Sequence, residues 1–211
     1  MTTIIIANGT ISDYAATKQA ISKIKSYVIA CDGGLCHAHA MEIVPNVVIG
    51  DMDSAPSEIL EEAERQGAKI LRYPIMKDET DLELAISHAL ENDAYPIKIY
   101  GALGGRIDHC LSNLHLLTIR PQAIEILDEK TSIKLISQSL TLQKENYDTL
   151  SLIPLTTAVT GITTQGLFYP LKNETLETGT SRGTSNYFTD GTATITIETG
   201  LLLAIRYREG Q

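Results

Sequence analysis

VVIGDMDSAP, residues 47–56, decides the fold. Three β-branched residues, Val47, Val48 and Ile49, run through Gly50 into two aspartates, Asp51 and Asp53, one residue apart. The same event occurs upstream in YVIACDGGL (27–35), where an apolar run ends at Asp32-Gly33-Gly34. Short, continuously apolar runs of this kind are strands buried on both faces, as in a parallel sheet. Carboxylates gathered at the ends of neighbouring strands repel one another and require a counter-charge.

Outward from this stretch, strand and helix patterns alternate through residue 127. Residues 3–7 (TIIIA) form an expected strand, and 13–25 an expected helix with Ala16, Ala20, Ile21 and Ile24 on one face. Strands at 27–30 and 47–49 follow. Asp53 or Ser54 is positioned to cap the next helix, with Pro56 in its first turn and Gly67 at its end. After a strand at 69–73, Thr80-Asp81-Leu82-Glu83 reads as a capping box. Leu82, Ala85, Ile86, Ala89 and Leu90 then recur at helical spacing. A strand at 97–100, a glycine-rich turn, a helix at 108–119 and a strand at 123–127 complete the series. The alternation predicts an α/β N-terminal domain, residues 1–128, with a mostly parallel, Rossmann-like sheet.

Beyond residue 131 the period changes. SIKLIS (132–137), SLTLQ (139–143), TLSLIPL (149–155), TAVTGITT (157–164), LFYPL (167–171) and TATITIE (192–198) alternate with period two. GLLLAIRYR (200–208) is more continuously apolar. This pattern predicts an all-β sandwich over residues 129–211.

Composition narrows the function classes. The 211 residues are 43% hydrophobic and 20% charged, the balance of an ordinary soluble globular protein. No run approaches the ~20 apolar residues of a membrane span. MTTIIIANG lacks a basic flank and a small-residue cleavage pattern, so a cytoplasmic location is expected. A net charge of −9 argues against nucleic acid and against an anionic membrane face. The three cysteines are expected to be reduced thiols. Cys31, Cys36, His37 and His39 lie close together, but their spacing lacks the second pair that closes a zinc site.

In open parallel sheets, ligands bind beyond the carboxyl ends of the strands. The loops at those ends carry Asn8-Gly9, Asp32-Gly33-Gly34, Asp51 and Asp53, Lys77 to Asp81, and Gly101 to Asp108. In an extended chain Asp51 and Asp53 would point the same way, roughly 6–7 Å apart. Each aspartate has a plainer local use: Asp53 as a helix cap, Asp81 in a first helical turn, Asp32 in a turn. Four together point to a hard cation held by oxygen, and Mg²⁺ fits that chemistry. GALGGRIDH (101–109) supplies glycines Gly101, Gly104 and Gly105, which let a backbone approach phosphate closely. Arg106 can grip phosphate oxygens bidentately. GxxxxGK[ST] and GxGxxG are both absent. RIDHCLSN mimics a kinase catalytic-loop spacing by chance. His109, Cys110 and His115 are expected to be core or interface residues.

ACDGGL, VVIGDMDS, KDETDLELAI, GALGGRIDHCLSNLHLL and a later GTSN together resemble the thiamine pyrophosphokinase family over essentially the whole chain. The resemblance implies pyrophosphoryl transfer from ATP to the hydroxyl of thiamine, giving thiamine diphosphate and AMP. It implies an ATP- and Mg²⁺-binding N-terminal domain and a thiamine-binding β-domain, in a homodimer with active sites at the subunit interface. Asp32, Asp51, Asp53 and Asp81 match the family's acidic metal site. Asp32, Gly33, Gly34, Lys77, Gly101, Gly104, Gly105 and Arg106 match its nucleotide and phosphate positions. Asp81, Arg106 and Asp108 match its catalytic positions, and either Asp81 or Asp108 could accept the hydroxyl proton. Thr184, Ser185, Asn186 and Tyr187 match the thiamine loop. The chain has no tryptophan for stacking on thiamine: either Tyr187 or Phe188 replaces it, or the ligand is held differently. Two other readings use the same residues: a Mg²⁺-dependent enzyme with another acceptor, and a nucleotide-binding sensor.

Overall fold

The computed structural model describes residues 1–209. The chain divides into two units, Met1–Leu116 with Ile126–Glu129, and Leu117–Glu125 with Lys130 onward. The first contains β1 (Thr2–Ile6), α1 (Tyr14–Ser22), β2 (Ser26–Cys31), α2 (Gly34–Ala40) and β3 (Val47–Gly50). It continues with α3 (Ser57–Arg65), β4 (Lys69–Arg72), α4 (Asp81–Glu91), β5 (Ile97–Tyr100) and α5 (Ile107–Leu116). The division runs through β6 (Ile124–Leu127).

Strands β5, β1, β2, β3 and β4 lie side by side in that order, each parallel to its neighbours. All four residues of β3 are buried, as are four of the five in β1. Their side chains are enclosed on both faces, which is why the runs read as continuously apolar. Burial of each isoleucine contributes ~1.5–3 kcal/mol. Helix α4 buries Leu82, Ala85, Ile86 and Ala89, the stripe expected from its period, and the Thr80 hydroxyl accepts the Glu83 N–H at 3.2 Å.

Some expected details differ. Helix α1 buries Ile21 and half-buries Ala20 as expected, but Ala16 is exposed and Thr17 is buried beside it. Helix α2 stands where only a turn was expected, because Gly33-Gly34 reads as punctuation and the helix has just seven residues. Helix α3 starts behind Pro56 with no side-chain cap. Asp53 and Ser54 therefore do not cap it. Helix α5 ends at Leu116, and a 3₁₀ turn, Leu117–Ile119, replaces its last turn. No residue of α5 is buried: His109 and His115 are exposed and Cys110 is half-buried, which removes the core half of the core-or-interface expectation.

The second unit contains β7 (Thr131–Ile136), β8 (Ser139–Gln143), β9 (Thr149–Pro154), β10 (Ala158–Gln165), β11 (Glu174–Glu177), β12 (Asn186–Tyr187), β13 (Thr192–Thr196) and β14 (Leu202–Tyr207). Strands β12, β9, β14 and β7 pair antiparallel in that order. A separate antiparallel sheet has the order β11-β10-β13-β8. One core joins the layers: Ile136, Leu150, Leu152 and Leu202 pack with Leu142, Val159, Ile162, Leu176 and Ile195. LFYPL forms only an isolated bridge, Leu167 to Phe188, and β11 and β12 come from stretches with no strand signal.

A charged group lies inside this unit. Arg206 and Glu125 are 5% and 8% exposed and 3.2 Å apart. Arg206 Nη2 also donates to Ser132 Oγ (2.8 Å), whose hydroxyl donates to Glu125 (2.7 Å), and Nη1 donates to the Gln143 carbonyl (2.8 Å). The guanidinium lies 4.4 Å over the Tyr147 ring.

Candidate active site

Loops leaving the carboxyl ends of β1 through β5 line one cleft of about 610 Å³. Asp32 follows β2 with φ 41° and is 5% exposed. After β3 the backbone does not stay extended: Met52 adopts φ 67°, and the Asp53 N–H donates to Asp51 Oδ1 at 3.2 Å. The two carboxylates therefore converge through a turn, not through strand alternation. The Ser54 N–H donates to Asp32 Oδ1 (3.3 Å) and its hydroxyl to Asp53 Oδ1 (2.8 Å). One carboxylate oxygen from each of Asp32, Asp51 and Asp53 lies within 4.8 Å of the other two.

Gly50 makes this approach possible. Its φ is 152°, and a β-carbon there would lie 2.8 Å from Asp32 Cβ and 3.2 Å from Asp81 Cγ. Gly50→Ala is expected to destabilise the protein by ~1–3 kcal/mol, measured by denaturant unfolding.

Asp81 stands beside the trio, paired with Lys77. Lys77 Nζ is 3.1 Å from Asp81 Oδ1 and 3.6 Å from Asp51 Oδ2. Asp81 Oδ1 is buried, and the angles at this ion pair leave it without a hydrogen-bond partner. Burial raises the Asp81 pKa, Lys77 opposes the shift, and the Asp51 and Asp32 charges add to it, for a net rise. Partial burial lowers the Lys77 pKa, and Asp81 and Asp51 more than offset that, holding the ammonium above its usual range.

Across the cleft, Gly101, Gly104 and Gly105 adopt φ 69°, 78° and 71°, left-handed conformations that favour glycine. Arg106 and Asp108 are bound to each other, Nε to Oδ1 at 3.1 Å and Nη2 to Oδ2 at 2.5 Å, with both side chains exposed. Hydrogen bonding from Arg106 pushes the Asp108 carboxyl down to about 2.

The structure thus brings Asp32, Asp51, Asp53, Lys77, Asp81, Gly101, Gly104, Gly105 and Arg106 to one cleft. Gly33, Gly34 and Asp108 are not in its lining. Gly34 packs against β1, where a β-carbon would meet the Ile6 carbonyl at 2.1 Å. Thr184, Ser185, Asn186 and Tyr187 belong to the second unit. There the Asn186 amide is consumed locally: Oδ1 accepts the Tyr169 and Tyr187 N–H groups, and Nδ2 donates to the Tyr169 carbonyl. Tyr187 is 47% exposed. Thr10, Ser54, His109 and Asn113 also line the cleft and were not assigned from sequence. Arg106, His109 and Asn113 recur at i, i+3 and i+7, a helical signal pointing back to the glycine turn.

Oxygen donors of the kind that suit a hard divalent cation thus stand beside a glycine turn, at the carboxyl edge of parallel strands. Residues 18–127 match the thiamin pyrophosphokinase catalytic domain, and residues 137–202 the thiamin pyrophosphokinase vitamin B1 binding domain. The chain is 31% identical to a thiamine pyrophosphokinase of Bacillus subtilis, over 78% of this chain and 79% of that protein. It is 32% identical to thiamine pyrophosphokinase 1 of Oryza sativa, over 80% of this chain and 68% of that one. The crystal structure of thiamine pyrophosphokinase from Bacillus subtilis covers the whole of both chains with a TM-score of 0.88 at 27% identity. That of Geobacillus thermodenitrificans covers 100% of this chain and 99% of its own, with a TM-score of 0.88 at 26% identity. The chain belongs to the thiamine pyrophosphokinase family.

Proposed function

We propose that this chain transfers the pyrophosphoryl group of ATP to the hydroxyl of thiamine, forming thiamine diphosphate and releasing AMP. The observation that carries this reading is the convergence of Asp32, Asp51 and Asp53 in the cleft that also holds the glycine turn. Residues 1–128 serve as the catalytic domain, a Rossmann-like platform for ATP, and residues 129–211 receive thiamine.

Asp32, Asp51 and Asp53 would hold Mg²⁺, with Asp81 in the same cleft as a fourth carboxylate for it. When bound, the metal neutralises the phosphate charge that builds during transfer. Gly101, Gly104 and Gly105 bring backbone against the phosphates, and Arg106 steadies their oxygens. Phosphoryl transfer depends on position and charge more than on covalent chemistry, so these contacts carry most of the catalysis. Asp108, held near 2 by Arg106, is a poor proton acceptor. Asp81, whose pKa is raised, is the better base for the thiamine hydroxyl. Thr184, Ser185 and Tyr187 face thiamine in this reading, while Asn186 shapes their loop.

The working form is a homodimer in the cytoplasm, with active sites at the subunit interface. Support comes from α5, where Ile107 and Leu111 lie four residues apart, 73% and 55% exposed, on a helix with no buried residue. Among the described residues no helix is long and apolar enough to cross a membrane.

Incubation with Mg²⁺, ATP and thiamine, followed by nucleotide analysis, tests the reading. AMP and thiamine diphosphate in equal amounts are expected. ADP would indicate transfer of a single phosphoryl group, and absence of thiamine-dependent turnover would overturn the assignment.

A further inference from the structure

Lys77 sits on a segment, residues 73–80, that belongs to no helix or strand. Its ammonium has three protein oxygens around it: Asp81 Oδ1 at 3.1 Å, Asp51 Oδ2 at 3.6 Å and the Pro74 carbonyl at 3.3 Å. The Pro74 carbonyl accepts a hydrogen bond from it, and the two carboxylates hold it as ion-pair partners. The Lys77 side chain is only 12% exposed, although Ile75 and Met76 beside it are 73% and 94% exposed. The segment therefore folds back to bring its one lysine into the acidic cleft while its apolar side chains stay outside. Among the described residues, Lys77 is the one basic side chain paired with any of Asp32, Asp51, Asp53 and Asp81.

Asp51 belongs to two sets at once. One of its oxygens joins Asp32 and Asp53 in the converging trio, and Oδ2 faces Lys77. A cation entering the trio and the Lys77 ammonium therefore meet across one carboxylate. Like charges this close repel, and in a partly desolvated cleft the repulsion is stronger than in bulk water.

We propose that Lys77 is the resting counter-ion of the metal site. Its ammonium and the divalent cation compete for Asp51 and Asp81, so the cation binds weakly until an anionic phosphate is present to receive the lysine. Phosphate then removes the competitor from the aspartates and pairs with it, which couples metal uptake to nucleotide uptake. Reciprocity requires the metal to favour nucleotide binding by the same factor. This inference rests on the assignment of Asp32, Asp51 and Asp53 as metal ligands.

The test is calorimetric titration of the nucleotide-free protein with Mn²⁺ alone, for the wild type, Lys77→Gln and Lys77→Arg. Lys77→Gln is expected to bind Mn²⁺ roughly 10- to 100-fold more tightly than the wild type. Lys77→Arg, which keeps the charge, is expected to stay near the wild-type affinity. Without Mn²⁺, Lys77→Gln should also melt at lower temperature than the wild type, and saturating Mn²⁺ should close that gap. Equal or weaker Mn²⁺ binding by Lys77→Gln would overturn the proposal. If the wild type still makes AMP in the presence of Mg²⁺, only the role of Lys77 falls. If no variant takes up Mn²⁺ and no AMP forms, the metal-site assignment falls with it.

Discussion

Asp53→Asn is expected to lower kcat/KM for thiamine diphosphate formation by about a hundredfold or more, with the fold unchanged. The size follows from removing a fixed negative charge from a site that works by preorganised electrostatics, where single groups contribute on the order of 10²–10³ in rate. The specificity follows from the structure around the residue. Asp53 is exposed, and α3 takes no cap from it. Its remaining local contact is the Ser54 hydroxyl, which an amide oxygen can also accept. Unfolding free energy should therefore stay within ~0.5 kcal/mol of the wild type. Near-normal turnover in this variant would remove Asp53 from the metal site.

Glu125→Ala should produce the largest loss of stability, about 3–5 kcal/mol by denaturant unfolding. Removing the carboxylate leaves the Arg206 guanidinium 5% exposed. The other carboxylate near it is Glu145, 3.8 Å away and itself 58% exposed. Ser132 would lose the acceptor of its hydroxyl as well. Lys134, 3.6 Å from Glu125, would add a second unneutralised cation. The double variant Glu125→Leu/Arg206→Met removes both charges of the inner pair and should be markedly less destabilised than Glu125→Ala alone. Equal losses in the single and double variants would show that packing, not charge, is what the group supplies.

Much of this architecture was legible in the sequence, for physical reasons. Strands enclosed on both faces must be apolar where they are buried, so the isoleucine and valine runs of β1, β2 and β3 announce themselves as strands. Parallel strands discharge their loops at one edge, which is why sequence order alone gathers Asp32, Asp51 and Asp53. What stayed hidden depends on tertiary partners. Asp53 and Ser54 have the chemistry of helix caps, but they bind each other and Asp32. Helix α2 has no polar cap, and its Gly34 is set by contact with β1, which a linear pattern does not carry. The Lys77 contacts lie on an irregular segment with no period to read. In the linear sequence the Asn186 amide reads as open to a ligand, because the chain crossing that brings Tyr169 to it has no local signal.

The left-handed backbone at Asp32 and Met52 has a historical implication. Non-glycine residues held there cost of order 1–3 kcal/mol each. Substitutions that relax either peptide would toughen the molecule while letting its carboxylates drift apart. Selection on durability and selection on turnover would therefore pull against each other at these two peptide units.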